Sequence, residues 1–248
     1  MMAADAEVSD WHEWHFYREQ LARKYLNILE LGLTPSIVIY APREKGKTQF
    51  LHDDLLPIAG AEGYRAVYCS VCNGHSNPFS AIISALIEAA KPRNLKERIV
   101  RACEGDSSGT LEVSLEKFGN VMKSDPAVEA RDRETLLSSL PSLLNEVSRI
   151  SGGKVLLALD DVDHLASPRF DDLVAALRTG LDLRKSTVKS VFTGSSKTNL
   201  ASIFSHPDAP FFQFSYRVEL PELDIEFVDF MLAEFQNATG REILPQSS

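Results

Sequence analysis

Cysteine is scarce in this chain. Three residues in 248 (Cys69, Cys72 and Cys103) are too few, and odd in number, for a disulfide framework, and they fit a reducing compartment. Long apolar runs are missing too: none approaches the ~18–20 residues that cross a bilayer, so no membrane partner is expected. The first eleven residues hold Asp5, Glu7 and Asp10 but no basic stretch, so they are not expected to act as a secretory leader. Positive charge is in deficit: 26 Lys and Arg against 35 Asp and Glu leave a net charge of −9. A surface-wide binder of nucleic acid or anionic lipid is therefore disfavoured. There is no internal repeat and no low-complexity tract. These absences point to a cytoplasmic globular protein.

What remains is ordinary in bulk. Hydrophobic residues make up 44% and charged residues 25%, and the length suits one large domain, or one domain with a small appendage. The pattern along the chain is more telling. From Trp11, the spacing of Trp14, Tyr17, Leu21, Tyr25 and Ile28 predicts an amphipathic helix ending near Gly32 and Pro35. Short β-branched or apolar runs predict five strands near 36–41, 65–70, 154–160, 188–193 and 214–220. Helical segments separate them: about Lys47 to Ile58; one opened by the cap Asn77-Pro78; Arg133 to Ile150, with Pro141 as a kink or junction; one opened by Ser167-Pro168; and a last one from Asp224 to Gly240. Strands alternating with helices predict an α/β fold of three layers, with a mostly parallel five-stranded sheet and helices on both faces. Residues 91–133 break this rhythm. They contain a turn cluster at Gly105–Gly109 and an alternating stretch at Leu111, Val113 and Leu115, and read as an insertion or small subdomain.

The strongest chemical signal lies between the first strand and the helix after it. Ala41-Pro42-Arg43-Glu44-Lys45-Gly46-Lys47-Thr48 matches the phosphate-loop pattern G-x-x-x-x-G-K-[ST] except that its first glycine is Ala41. Gly46 can take the backbone angles that turn N–H groups around a phosphate. Lys47 supplies a point charge for the β- and γ-phosphates, and Thr48 a hydroxyl for Mg²⁺. The helix that starts near Lys47 directs its positive end at the same anion. Ala41 is expected to cost only some freedom of φ at the loop entrance.

A second signal is Val155-Leu156-Leu157-Ala158-Leu159-Asp160-Asp161. A buried apolar strand delivers Asp160 to its carboxyl end, where parallel sheets bind ligands, and a carboxylate there can serve Mg²⁺. Asp161 occupies the place of a base that orients attacking water. That base is commonly Glu. Asp is one methylene shorter, and a misplacement of about 1 Å can cost ~10²-fold in rate, so slow hydrolysis is expected. A third element is Thr193-Gly194-Ser195-Ser196-Lys197, at the tip of the next strand. Thr193 or Ser195 is placed to sense a γ-phosphate or hold water, and Lys197 to reach a phosphate.

Other patterns carry less. Cys69 and Cys72 have C-x-x-C spacing but no second pair or His cluster, so a zinc or redox role is discounted. His164 follows the acidic strand and reads as a surface or packing residue. Lys91, Arg93, Lys96, Arg98 and Arg101 form a basic run interrupted by Glu97 and Glu104, without interleaved aromatics. It reads as a solvated helix face rather than a nucleic-acid site.

Together, A-P-R-E-K-G-K-T-Q-F-L, L-A-L-D-D-V-D-H-L, F-T-G-S-S-K-T-N-L, P-F-F-Q-F and L-P-E-L-D resemble the AAA+/STAND branch of bacterial and archaeal P-loop ATPases, over about residues 35–240. The resemblance implies ATP with Mg²⁺. ATP would be held by Ala41, Pro42, Arg43, Glu44, Lys45, Gly46, Lys47, Thr48, Gln49 and Lys197. The metal would lie by Thr48 and Asp160, and the chemistry would involve Asp161, Lys47 and Ser195. It also implies a conformational or assembly switch, with a homo-oligomer or a protein client as partner. Two alternatives are a nucleotide sensor with little turnover and a DNA-associated regulatory ATPase; the acidic balance disfavours the latter. Family members carry Gly, Glu and Arg where this chain has Ala41, Asp161 and Lys197, which puts turnover in question more than binding. The expected organisation is an N-terminal helix over 1–34, a P-loop core over 35–222 and the start of a helical lid over 223–248, which reads as truncated.

Overall fold

The computed structural model describes residues 14–72, 77–94 and 130–241. The predicted excursion at 105–115, Cys103 and the basic residues beyond Arg93 lie outside them. The chain divides into two compact units, one of residues 19–220 and one that joins residues 1–18 to 221–248.

The larger unit is built on five parallel strands: β1 (Ser36–Tyr40), β2 (Arg65–Ser70), β3 (Val155–Asp160), β4 (Val188–Gly194) and β5 (Ser215–Glu219). They lie in the order β2-β3-β4-β1-β5, and all four pairings are parallel. Each strand falls within a residue or two of its predicted run. β3, the most apolar, has all six residues buried.

Side chains alternate across the sheet, as the twofold pleat requires. Val155, Leu157 and Leu159 of β3, with Val38 of β1 and Phe192 of β4, join one core cluster. Leu156 and Ala158, with Ile37, Ile39 and Val191, join the other. Helix α1 (Glu19–Glu30) and the helical stretch α2 cover the second face, burying Tyr25, Leu26, Leu29, Phe50, Leu51 and Leu55. Stretch α2 runs from 47 to 61 in three segments: an α-turn at Lys47–Gln49, a wide π-type stretch at Phe50–Leu55 and an α-segment at Leu56–Ala61. The first face is covered by α3 (Pro78–Ala89), α4 (Ala130–Ile150), α5 (Asp171–Asp182) and α6 (Lys197–Phe204). The three-layer expectation holds.

Two local expectations need correction. The first helix starts at Glu19, so Trp14 and Tyr17 are not part of its stripe, and Tyr17 is exposed. The buried set is Ala22, Tyr25, Leu26 and Leu29. Second, Pro141 lies inside α4 rather than at a junction. The neighbouring helix passes close there. A Cβ on Gly180 of α5 would come 2.7 Å from Leu144 Cδ1 and 3.8 Å from Pro141 Cα, so a residue without a side chain permits the approach.

In the smaller unit, α7 (Ile225–Thr239) starts at Asp224, whose side chain accepts from Glu226 N, and stops at Gly240 in the left-handed conformation (φ 66°). The Phe16 ring meets the rings of Phe227 and Phe230, with centroids 5.7 and 5.6 Å away. None of the described helices is long and apolar enough to cross a membrane.

Candidate functional site

The strand order decides what can meet. β4 lies between β1 and β3, so its tip separates the loop after β1 from the acids at the end of β3. This is where β1 departs for β2 at the far edge, the kind of switch point where open α/β sheets leave a crevice at their carboxyl ends.

The loop 41–46 leaves β1 with Ala41 buried, its N–H donating to Gly194 O at 3.3 Å. Ala41 is not among the residues with positive φ; those in the loop are Glu44 (φ 63°) and Gly46 (φ 73°). The first glycine of the pattern is thus dispensable here on conformational grounds, which corrects the expected loss at Ala41. Left-handed residues such as these two build the backbone nests that receive anions. Gly46 is the N-cap of α2, and it has no side chain to fill the space in front of the helix.

Lys47 is buried, and its ammonium donates to the carbonyl oxygens of Ala41 and Pro42, each at 2.8 Å. Burial pushes its pKa down, against the pull of Asp161, Asp160 and Asp163. The side chain is therefore folded back onto its own loop, on acceptors that a phosphate oxygen can replace.

Asp160 is 1% exposed. Its Oδ2 accepts from Thr48 Oγ1 at 2.6 Å and from Tyr68 OH at 3.0 Å, and its Oδ1 accepts from the Thr193 hydroxyl. Three elements thus converge on one carboxylate: α2, β2 and β4. Tyr68 follows from the register. It lies opposite Ala158 on β3, on the same face as Asp160 two residues on. Burial and then Asp160 itself push the phenol pKa up, so Tyr68 remains a donor.

Asp161 stands in the left-handed conformation (φ 59°), and its N–H donates to Thr193 Oγ1 at 3.1 Å. Its carboxyl pKa is raised, by burial first and then by Asp160 and Asp163, with Lys47 and His164 pulling the other way. Asp163 is buried. Its Oδ2 accepts from Ser195 Oγ at 3.3 Å and from Ser196 N at 3.1 Å. Its Oδ1 has no hydrogen-bond partner among the described residues.

Around these groups opens a cavity of about 550 Å³, lined by Arg43, Glu44, Gly46, Lys47, Thr48, Gln49, Cys72, Asp161, His164 and Ser195. That volume is in the range of small-molecule sites. Eight of these residues are sequence candidates: Arg43, Glu44, Gly46, Lys47, Thr48, Gln49, Asp161 and Ser195, while Ala41 and Pro42 contribute the carbonyls beneath Lys47. Lys197 is not brought there. Its ammonium pairs with Glu219 at 2.9 Å and lies 4.6 Å from the centre of the Tyr40 ring. Tyr68 and Asp163 were not singled out from sequence, Cys72 was weighed only as half of a C-x-x-C pair, and His164 was read as a surface or packing residue. Cys72 is exposed, with its thiol pKa raised by burial and then by Asp161. It carries no thiolate that would mark it as reactive.

The residues present fit an Mg²⁺–triphosphate group. A lysine ammonium rests on exchangeable carbonyls, left-handed loop residues flank a helix start, and Thr48 on the cavity wall donates at 2.6 Å to a buried carboxylate. Among the described residues, no group of three or more His, Cys, Asp or Glu side chains forms a metal cluster. A metal here would therefore need ligand and water oxygens, as Mg²⁺ accepts.

No protein-family profile and no curated protein matches the sequence. Solved structures do match its fold. A Walker-type ATPase of Pyrococcus abyssi aligns with a TM-score of 0.53 at 18% identity, covering 92% of this chain and 59% of that one. The ORC2 protein of Aeropyrum pernix, solved in ADPNP–ADP complexes, aligns with a TM-score of 0.53 at 19% identity, covering 89% of this chain and 51% of that one. Its ADP form gives 0.51. The chain thus spans between half and three fifths of the length of these proteins. The resemblance to AAA+ P-loop ATPases drawn from its motifs holds at the level of the fold.

Proposed function

We propose that this chain binds ATP with Mg²⁺ in the cavity at the carboxyl ends of β1, β3 and β4, and hydrolyses it slowly to drive a conformational or assembly switch. The observation that carries the reading is that Asp160, 112 residues beyond Thr48 in the chain, accepts from the Thr48 hydroxyl beside Lys47, on the wall of that cavity. Lys47 would exchange the Ala41 and Pro42 carbonyls for phosphate oxygens, and the loop 43–48 would wrap the phosphates. Thr48 and Asp160 would hold the metal and its waters. Bound Mg²⁺ would supply charge neutralisation of the phosphates. Asp161 is the group that would orient water and take its proton, and its raised pKa brings it nearer the working range of a base. Ser195, held by Asp163, lies at the cavity wall where it can hold water or a phosphate oxygen. The adenine preference rests on the family resemblance and on the ADPNP–ADP and ADP complexes of the archaeal protein with this fold.

A second reading, a nucleotide sensor with little turnover, is favoured by one observation. Asp161 shares its surroundings with Asp160 and Asp163, and its short side chain must reach water from a constrained left-handed backbone. Both readings are tested by titrating the protein with a fluorescent ATP analogue and Mg²⁺, beside Lys47→Ala. Micromolar binding lost in the variant supports the site, and a phosphate-release assay then separates hydrolase from sensor. Equal binding by both proteins, or none by either, would sink the assignment.

A further inference from the structure

Asp160 is held from three sides, and only one of the three holders lies on the phosphate-loop helix. Thr48 donates to Oδ2 at 2.6 Å and lines the cavity. On the reading above, the lone pairs of its oxygen would face the metal while its proton stays on Asp160, so the aim of that carboxylate depends on what else holds it. Asp160 is 1% exposed, so water cannot readily replace a lost donor, and a buried carboxylate left loosely held is costly. Thr193 holds the other oxygen, Oδ1. One contact alone would let the carboxylate pivot about it.

The remaining donor is Tyr68. Its phenol reaches Oδ2 at 3.0 Å from β2, a different element from the one that carries Thr48. Its ring packs against the His52 ring, with centroids 4.0 Å apart. His52 lies one helical turn beyond Thr48 on α2, so the packing that sets the tyrosine is on the same stretch that carries the metal-side hydroxyl.

We propose that Tyr68 is a positioning residue of the metal site: from β2 it fixes Asp160 Oδ2 beside Thr48, on the side where Mg²⁺ would be held. The proposal rests on the Mg²⁺–nucleotide reading. It assigns Tyr68 no contact with nucleotide. Its effect is thus confined to the metal dependence of binding, where a general packing role would not be felt.

The test is a Mg²⁺ titration of fluorescent ATP-analogue binding, in wild type and Tyr68→Phe, with binding in EDTA as the second readout. Phe keeps the ring on His52 and removes one hydroxyl. The half-saturating Mg²⁺ concentration should rise about tenfold, the loss of one hydrogen bond to a charged acceptor. Binding in EDTA should not change. Tyr68→Met, which also fills the space without a hydroxyl, should show the same shift if Phe perturbs folding. Unchanged half-saturation in a folded variant would overturn the proposal and leave the nucleotide site standing. A parallel loss of affinity in EDTA would also overturn it, because it would mark Tyr68 as structural. No binding by the wild type, with or without Mg²⁺, would overturn both readings together.

Discussion

The Thr193 hydroxyl accepts from Asp161 N at 3.1 Å while donating to the carboxylate of Asp160. One side chain on β4 thereby fixes both successive acids of β3, one through its backbone and one through its side chain. Thr193 is fully buried, so no solvent can take over either bond.

Thr193→Val should therefore cost about 2 kcal/mol or more. It keeps the shape but leaves a buried N–H and a buried carboxylate oxygen without a partner, each worth about 1–3 kcal/mol. Thr193→Ser keeps the hydroxyl and should lose much less. Urea unfolding of the three proteins checks this; equal midpoints for Val and Ser would show that the hydroxyl does not matter.

Asp161 links the site to pH. Its folded pKa is raised above the ordinary 3.8, chiefly by burial. The folded state therefore holds the proton more tightly, and stability falls as pH rises from that value through the raised one. At neutral pH the ionised carboxylate is a net cost. Asp161→Asn should raise the melting temperature at pH 7.5, and the gain should shrink towards zero below about 3.8. Thermal unfolding at both pH values decides it. Phosphate release should vanish in the same variant and increase in Asp161→Glu, which restores the longer base. Unchanged release in Glu would mean that side-chain length is not limiting.

At Gly194, an added methyl would meet Leu200 Cδ2 at 2.8 Å, Leu200 Cγ at 3.0 Å and Asp163 Oδ1 at 3.1 Å. Leu200 is buried and has little room to retreat. Gly194→Ala should destabilise by about 1–3 kcal/mol, the usual cost of overpacking. It should also weaken nucleotide binding by shifting Ser195. A denaturation midpoint equal to the wild type would contradict this close approach.

Lys197→Ala should leave nucleotide affinity unchanged, since its ammonium is engaged with Glu219 away from the cavity. A tenfold weaker affinity in the same titration would show that the side chain swings across when nucleotide arrives.

Much of this was legible in the chain. Short β-branched or apolar runs located all five strands, most clearly β3, which is buried on both faces and tolerates few polar residues. Lys47, Thr48 and Asp160 were legible because their chemistry is tied to a strand end. Tyr68 was not. Its role depends on β2 being the neighbour of β3, and strand order is not written in local periodicity. Lys197 misled for a related reason. It follows a strand tip, but Ser196 caps α6 by accepting from Asn199 N, and the helix begins with its first side chain directed at β5. Tyr17 and Trp14 matched a helical period by spacing alone, but both precede the helix start at Glu19.

The alternation of β4 has a consequence for how this chain can change in length. Phe192 enters the core against Phe204 and Phe211, while Thr193 faces the two acids. The strand is bonded on both sides, to β3 and to β1, so it cannot absorb an extra residue by sliding along a free edge. Losing or gaining one residue within 188–192 would exchange the two faces: an aromatic ring would be pressed against Asp160 and a hydroxyl buried in hydrocarbon. Related sequences should therefore vary freely in the lengths of the segments that flank this strand, and hardly at all in the count of residues within it.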